Sequence, residues 1–301
     1  MRHKRKEHGG MSLDWNLKKS DPEALCDALD ASGIIPAPGE TVSAFLERAE
    51  AEFNAPPFDV SGEPDFTDAV PIPPEVLAEG SERTERLFGF AVPHVPGYFV
   101  KRGMGLLWGG FTLEDENGHV CFALRDSFRT GRRWFLYDRA ELLAHEQCHA
   151  ARTPLEDAAY EEMLAYMTSE KSFLRRYLGG CFRSRAGSAA VCVFLIILFA
   201  AELAAAFRIL PFTLPLWPFM TAFLLFLLGV LIRNHIVRRR YFRARKNLSA
   251  VTDRPDAMLF RAVADEIGRI ADTAPEEIPA LLERFAQNEL RWAVALRRFR
   301  K

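Results

Sequence analysis

Two apolar runs constrain this chain more than any other feature. Residues 186–206 read AGSAAVCVFLIILFAAELAAA, with Glu202 as the one ionisable group, and residues 213–232 read TLPLWPFMTAFLLFLLGVLI, with none. As helices each reaches about 30 Å, the thickness of a bilayer's hydrocarbon core. A soluble helix of that length carries a polar face, and these runs carry none. A two-helix transmembrane hairpin over 186–232 is expected, closed by the short FRILPF turn.

Charge is zoned to match. The 301 residues hold 39 Lys+Arg and 40 Asp+Glu, a net charge of −1, which argues against a nucleic-acid partner. That average conceals 16 acidic and 3 basic side chains over residues 21–100, and 13 Lys/Arg against Glu202 alone over 171–246. Lys171, Arg175, Arg176, Arg183 and Arg185 precede the first run, and Arg233, Arg238, Arg239, Arg240, Arg243, Arg245 and Lys246 follow the second. The turn between them holds only Arg208. Lys/Arg excess marks the cytoplasmic side, so an integral membrane protein with two spans and both termini cytoplasmic is expected. Trp217 belongs at the outer interface, Pro215 and Pro218 in the first helical turn, and Glu202 snorkels or pairs with Arg208. The basic start MRHKRKEHGG leads into no apolar h-region, so no signal peptide is expected. Five scattered cysteines without a C-x-x-C pair exclude a disulfide framework and a cysteine zinc site.

The remaining chain divides by texture. Residues 1–20 form a basic tail, and residues 21–96 an acidic, Pro-rich region with short helices over 21–53 around GIIPAPGE and an irregular stretch over 54–74. From residue 97 the runs GYFVKRGMGLLWGGFTL, HVCFALRDSF and RRWFLY are β-prone and separated by ENG and TGR turn signals. Three antiparallel strands are expected, with Gly103, Gly105, Gly109 and Gly110 permitting bulges. Residues 233–301 read as a basic juxtamembrane segment and a cytoplasmic helical tail, helical over 255–272 and 276–299, with Leu259, Val263, Ile267 and Ile270 on one face.

The chemistry sits between strands and hairpin. Asp138 and Glu141 form a D-x-x-E capping box that starts a helix near Arg139. On it lies His145-Glu146-Gln147-Cys148-His149, an H-E-x-x-H run. Spacing i,i+4 puts both imidazoles on one face, able to converge on Zn2+, with Glu146 displaced toward a metal-bound water as general base. Thr153, Pro154 and Glu156 signal a second helix, which offers Glu161 or Glu162 as the third ligand. Glu162 has apolar neighbours at helical spacing (Ala158, Ala159, Ala165), and an acid so placed needs a partner. Glu161 has the more solvated set, and its alternative place is behind the ligands or on the surface. Cys148 reads as a small packing residue.

His145, Glu146, His149 and Glu162-Met163-Leu164-Ala165 together resemble the gluzincin-type zinc metallopeptidases, over about residues 133–178. Tyr166 stands where that family often has an aspartate, and the twelve residues between His149 and Glu162 make a tight connection. The resemblance implies a zincin-like catalytic domain over 97–180, and so an α+β cytosolic domain carrying a transmembrane hairpin and a helical C-terminal tail. It also implies a zinc metallopeptidase acting on peptide or protein substrates, juxtamembrane ones included, with a strand pairing to the substrate backbone. Tyr166, Tyr160, Arg152 and His94 are candidates to stabilise the oxyanion. Arg152 has the alternative of neutralising Glu161 or capping its helix. Two further readings stand beside the enzyme: a non-catalytic membrane scaffold with a structural or vestigial metal site, and residues 21–100 acting as an inhibitory flap.

Overall fold

The computed structural model describes residues 13–54, 58, 66–102, 109–114, 119–170, 173–181, 185–207 and 217–301. Gly103, Gly105, Lys171, Arg183, the FRILPF turn after its first residue, Arg208 included, and Pro215 lie outside these.

In chain order come α1 (Leu17–Ser20), α2 (Pro22–Ala31), α3 (Val42–Phe53), β1 (Val70–Pro71) and α4 (Pro74–Phe88). Then follow β2 (Gly97–Val100), β3 (Gly110–Glu114), β4 (Val120–Arg125), α5 (Ser127–Thr130), β5 (Arg133–Trp134) and β6 (Tyr137–Asp138). The motif helix is α6 (Arg139–Arg152), followed by a 3-10 turn (Thr153–Leu155), α7 (Glu161–Tyr166) and α8 (Phe173–Leu178). Two long apolar helices, α9 (Arg185–Ala206) and α10 (Trp217–Leu248), lead to α11 (Pro255–Phe260), α12 (Ala264–Asp272), α13 (Ile278–Asn288) and α14 (Leu290–Phe299). The class is α+β with two long apolar helices.

The β-prone runs form strands, but three consecutive antiparallel strands do not result. The sheet has the order β1-β2-β4-β3, with β2 parallel to β4 and β3 antiparallel to it. The chain leaves β2, passes to the far edge as β3, and returns as β4 between the two. β-propensity marks which residues extend, not which neighbours they choose. RRWFLY forms β5 and β6, a separate two-residue hairpin turning at Phe135, whose φ of 49° is left-handed.

Two helices back the sheet. α4 lies along α6 at Gly80, where an added Cβ would stand 2.7 Å from the Leu143 Cβ and 2.9 Å from the Ala144 nitrogen. Buried Gln147 fastens the pair by donating to the Leu77 carbonyl at 3.1 Å. Asp138 caps α6, accepting from the N–H groups of Ala140 (3.1 Å) and Glu141 (3.4 Å). The other half of the expected capping box does not form. The Glu141 carboxylate turns inward to Arg83 (3.4 Å) and Arg175 (3.1 Å), since a buried acid is better served by guanidinium than by one amide.

The second helix after the motif differs too. Pro154 opens only a 3-10 turn, which ends at Glu156 in the left-handed region, φ 49°. The helix bearing Glu161 and Glu162 then begins anew and runs six residues. It does not continue toward the hairpin as one rod. The chain turns, and an added Cβ on Gly180 would lie 3.4 Å from Met163.

The acidic N-terminal region and the helical tail share one core with the motif helix. Phe88 stacks on Phe260 at 4.5 Å and Phe90 packs tilted against it at 4.7 Å, beside buried Cys148, Ala151 and Met163. Asp30 and Arg261, both fully buried, pair at 2.8 Å. The described part of residues 21–100 is therefore built into the fold, and much of the Pro-rich stretch that suggests an inhibitory flap lies outside the described residues. The tail helices are also shorter than expected: 255–272 breaks at Arg261, whose guanidinium turns inward to Asp30, and 276–299 breaks at Glu289, where the backbone is extended.

α9 and α10 are long and apolar enough to cross a membrane, with mean hydropathy 2.6 and 1.9 over their most apolar stretches, of which 0% and 6% is buried. Phe194 of α9 packs on Phe223 and Phe226 of α10 at 5.8 and 5.9 Å. α10 does not stop at residue 232. It runs 32 residues without a break, and its last turns bury Tyr241, Ala244 and Leu248 in the core.

Candidate metal centre

Spacing i,i+4 on α6 brings the two imidazoles together as expected, with Nε2 of His145 and Nε2 of His149 3.1 Å apart. α7 delivers both acids to this pair. Glu162 faces the two Nε2 atoms at 3.8 Å from His145 and 3.7 Å from His149. Glu161 goes behind, its Oε1 2.8 Å from Nδ1 of His149. The sharp restart at residue 161 makes this division: successive residues at a helix start point to different sides of one target.

One nitrogen from each histidine and one Glu162 oxygen lie within 4.8 Å of one another, the one such grouping of three among the described residues. Two nitrogens bound to one zinc at about 2.0–2.1 Å, at a tetrahedral angle, stand roughly 3.3 Å apart. The donor set fits zinc, with two nitrogens, one carboxylate and a neighbouring acid to orient a ring.

Electrostatics call for positive charge at this point. Burial pushes the His149 imidazole down, but the Glu161 hydrogen bond and the Glu146, Glu162 and Glu161 carboxylates outweigh it and raise the pKa to about 9. Burial and the neighbouring His149 charge push His145 well below the usual range. The environment thus favours the charged form of His149 and the neutral form of His145. Burial raises Glu161, but the His149 bond and charge, with Arg152, hold it below the usual carboxylate range.

Glu146 is 5% exposed and accepts a hydrogen bond from Thr112 of β3 at 2.6 Å. Burial raises its pKa, against the lowering effects of His149 and Thr112. The cleft around it measures about 600 Å³ and is lined by Gly110 and Thr112 of β3, by Tyr137, and by Tyr166 and Arg175. Burial and the Glu162 charge push Tyr166 up to about 12, so its hydroxyl stays protonated and able to donate. Its ring meets His145 edge-on at 4.5 Å.

The other oxyanion candidates are not at the cleft. Tyr160 is buried in the core beside Tyr241. Arg152 is 2% exposed, binds Asp157 at 2.7 Å and donates to the Phe260 carbonyl, so it does not reach the cleft, and it acts on Glu161 through charge without a direct ion pair. His94 binds Glu52 at 3.3 Å and lines a separate cavity beside Pro93 and Ile72. Cys148 is buried, and burial raises its thiol far above the usual range. Two cleft residues escaped sequence reasoning. Thr112 carries no motif, and Arg175 reads as one more juxtamembrane charge.

Comparison with protein-family models, with curated proteins and with solved structures finds no match. The functional reading therefore rests on the site itself.

Proposed function

We propose that the protein is a membrane-anchored zinc metallopeptidase that hydrolyses peptide bonds at the cytoplasmic membrane face. The observation that carries the reading is the convergence of His145, His149 and Glu162, with Glu146 buried beside them and aimed into the same cleft. A structural zinc site closes its coordination with a fourth protein ligand. Here three donors converge while Glu146 is engaged by Thr112, which favours the enzyme over a scaffold with a structural metal.

Zinc bound there would lower the pKa of a water toward neutrality and polarise the scissile carbonyl. His145, His149 and Glu162 hold it, and Glu161 fixes the His149 ring. Glu146 accepts the proton of the attacking water at its carboxylate and hands it to the leaving amine. Tyr166, protonated and facing the cleft, donates to the oxygen that gains charge. Among the described residues β3 pairs with β4 alone, and its other edge borders the cleft, where an extended peptide backbone would add as a strand.

The membrane part of the reading is supported by the exposed apolar surfaces of α9 and α10 and by the Lys/Arg excess flanking them. Both termini then face the cytoplasm. Exposed Phe135, Leu136, Phe173 and Leu174 sit around Arg175 at the cleft rim, where Arg175 donates to the Leu136 carbonyl. Such a rim suits juxtamembrane peptide segments reaching the site from the bilayer side.

The test is metal analysis of the full chain beside His149→Ala, with cleavage of a peptide library by wild type and Glu146→Gln. Zinc in wild type and Glu146→Gln, its loss in His149→Ala, and turnover in wild type alone are expected. Protein that purifies without zinc in the absence of chelators, or cleavage unchanged in Glu146→Gln, overturns the proposal.

A further inference from the structure

A second cavity, of about 860 Å³, opens between α8 and the part of α10 that follows its apolar stretch. His235, Arg238, Arg239, Phe242 and Arg245 line it from one face of α10, at three-, four- and seven-residue spacings. Arg176 and Tyr177 line it from α8.

Its charge is uncompensated. Among the described residues on its wall one is acidic, Asp256, and it is already taken by Arg245 Nε at 2.8 and 2.9 Å and by the Tyr241 hydroxyl at 2.8 Å. Among the described residues, Arg176, Arg238 and Arg239 make no ion pair. Arg238 is 8% exposed, donates to the Arg176 carbonyl at 2.9 Å, and lies over the rings of Tyr177 (5.1 Å) and Phe242 (5.5 Å). A buried guanidinium without a counter-ion is costly, and two more beside it add repulsion. The cavity is built for an anion.

Its height narrows the choice. The apolar run ends at Ile232, so His235 lies about 4.5 Å further along the helix axis and Arg238 and Arg239 about 9 and 10.5 Å, from which long guanidinium side chains reach back toward the bilayer. The headgroup layer occupies roughly 5–8 Å beyond each face of the hydrocarbon core. Phe173 of α8, exposed on the same wall, gives the cavity an apolar surface of no use to a free inorganic anion but suited to a glycerol backbone.

We infer that this cavity binds the phosphate of an anionic phospholipid between Arg176, Arg238 and Arg239. The inference rests on the membrane reading of α9 and α10. It is independent of the metal cleft.

The test uses the full chain in a neutral detergent, titrated calorimetrically with dihexanoyl phosphatidylglycerol, dihexanoyl phosphatidylcholine and inorganic phosphate. Saturable binding of phosphatidylglycerol is expected, with the other two at least about tenfold weaker. Arg176→Gln and Arg239→Gln each weaken it by roughly fivefold, the equivalent of about 1 kcal/mol per basic residue at an anionic surface. Neither side chain makes a hydrogen bond or ion pair among the described residues, so both variants keep the fold. Equal binding of inorganic phosphate would make this a soluble-anion site. Equal binding of phosphatidylcholine, or indifference to both substitutions, overturns the inference outright. Alkaline carbonate extraction of membranes reads the anchor separately. A chain that carbonate strips off but that selects phosphatidylglycerol in detergent loses the anchor and keeps the headgroup site. A chain that resists carbonate without selecting phosphatidylglycerol loses the headgroup site alone.

Discussion

Glu161 holds the back of the His149 ring, Oε1 to Nδ1 at 2.8 Å, and so fixes its Nε2 toward His145 at 3.1 Å. Two adjacent acids thereby take opposite sides of one imidazole. Glu161→Gln should weaken zinc affinity by about 10- to 100-fold, the usual effect of removing a ligand's hydrogen-bond partner. Glu162→Gln should weaken it further. Competition against a chromophoric chelator measures both, and an unaltered affinity in Glu161→Gln would reject the positioning role.

Thr112 donates to Glu146 at 2.6 Å across the gap between β3 and α6. Hydrogen bonds to charged groups contribute about 1.5–3 kcal/mol. Thr112→Val should therefore lower kcat by about tenfold or more while zinc content stays at the wild-type level. Loss of zinc in step with activity would show that the strand supports the site only structurally.

At Gly80 the two helices behind the sheet touch backbone to backbone, and a Cβ would meet the Leu143 carbonyl carbon at 2.9 Å. Gly80→Ala should destabilise the protein by about 1–3 kcal/mol, as overpacking does. Because α6 carries both histidines, the same variant should bind zinc more weakly. Thermal unfolding with and without added zinc separates the two effects, and a Tm equal to wild type would refute the close approach.

Asp30 pairs with Arg261 at 2.8 Å and also receives Arg298, joining α2 to the tail helices. Asp30→Ala strands a fully buried guanidinium and should cost about 3–5 kcal/mol. Replacing both partners, Asp30→Leu with Arg261→Met, should recover most of that loss. Denaturant midpoints of the single and double variants decide it, and a double variant no better than the single would show that packing rather than charge is at stake.

The motif was legible because both of its requirements are local. His145 and His149 share a face at helical spacing, and Asp138 caps the helix that bears them. The apolar runs were legible through length and composition alone. Pairing order was not legible, because nothing in HVCFALRDSF says that it inserts between two earlier strands. The left-handed turn at Glu156 was equally hidden. Its neighbours Thr153 and Pro154 carry helix-start signals, and tertiary packing stops the helix after one turn. The inward Arg152, Arg261 and Arg291 are the sharpest case, since only the folded chain shows which carboxylates and carbonyls receive them.

α10 runs from the apolar surface into the same core that grips the motif helix, with no hinge along its 32 residues. In a bilayer such a rod acts as a ruler. If the protein is the membrane-anchored peptidase proposed above, that rod would hold the cleft at one height and one heading relative to the lipid plane, and a scissile bond would be selected by its distance from the membrane as much as by the side chains around it. Lengthening a substrate's stalk would then move its cleavage point by the same number of residues, whatever sequence the stalk carries.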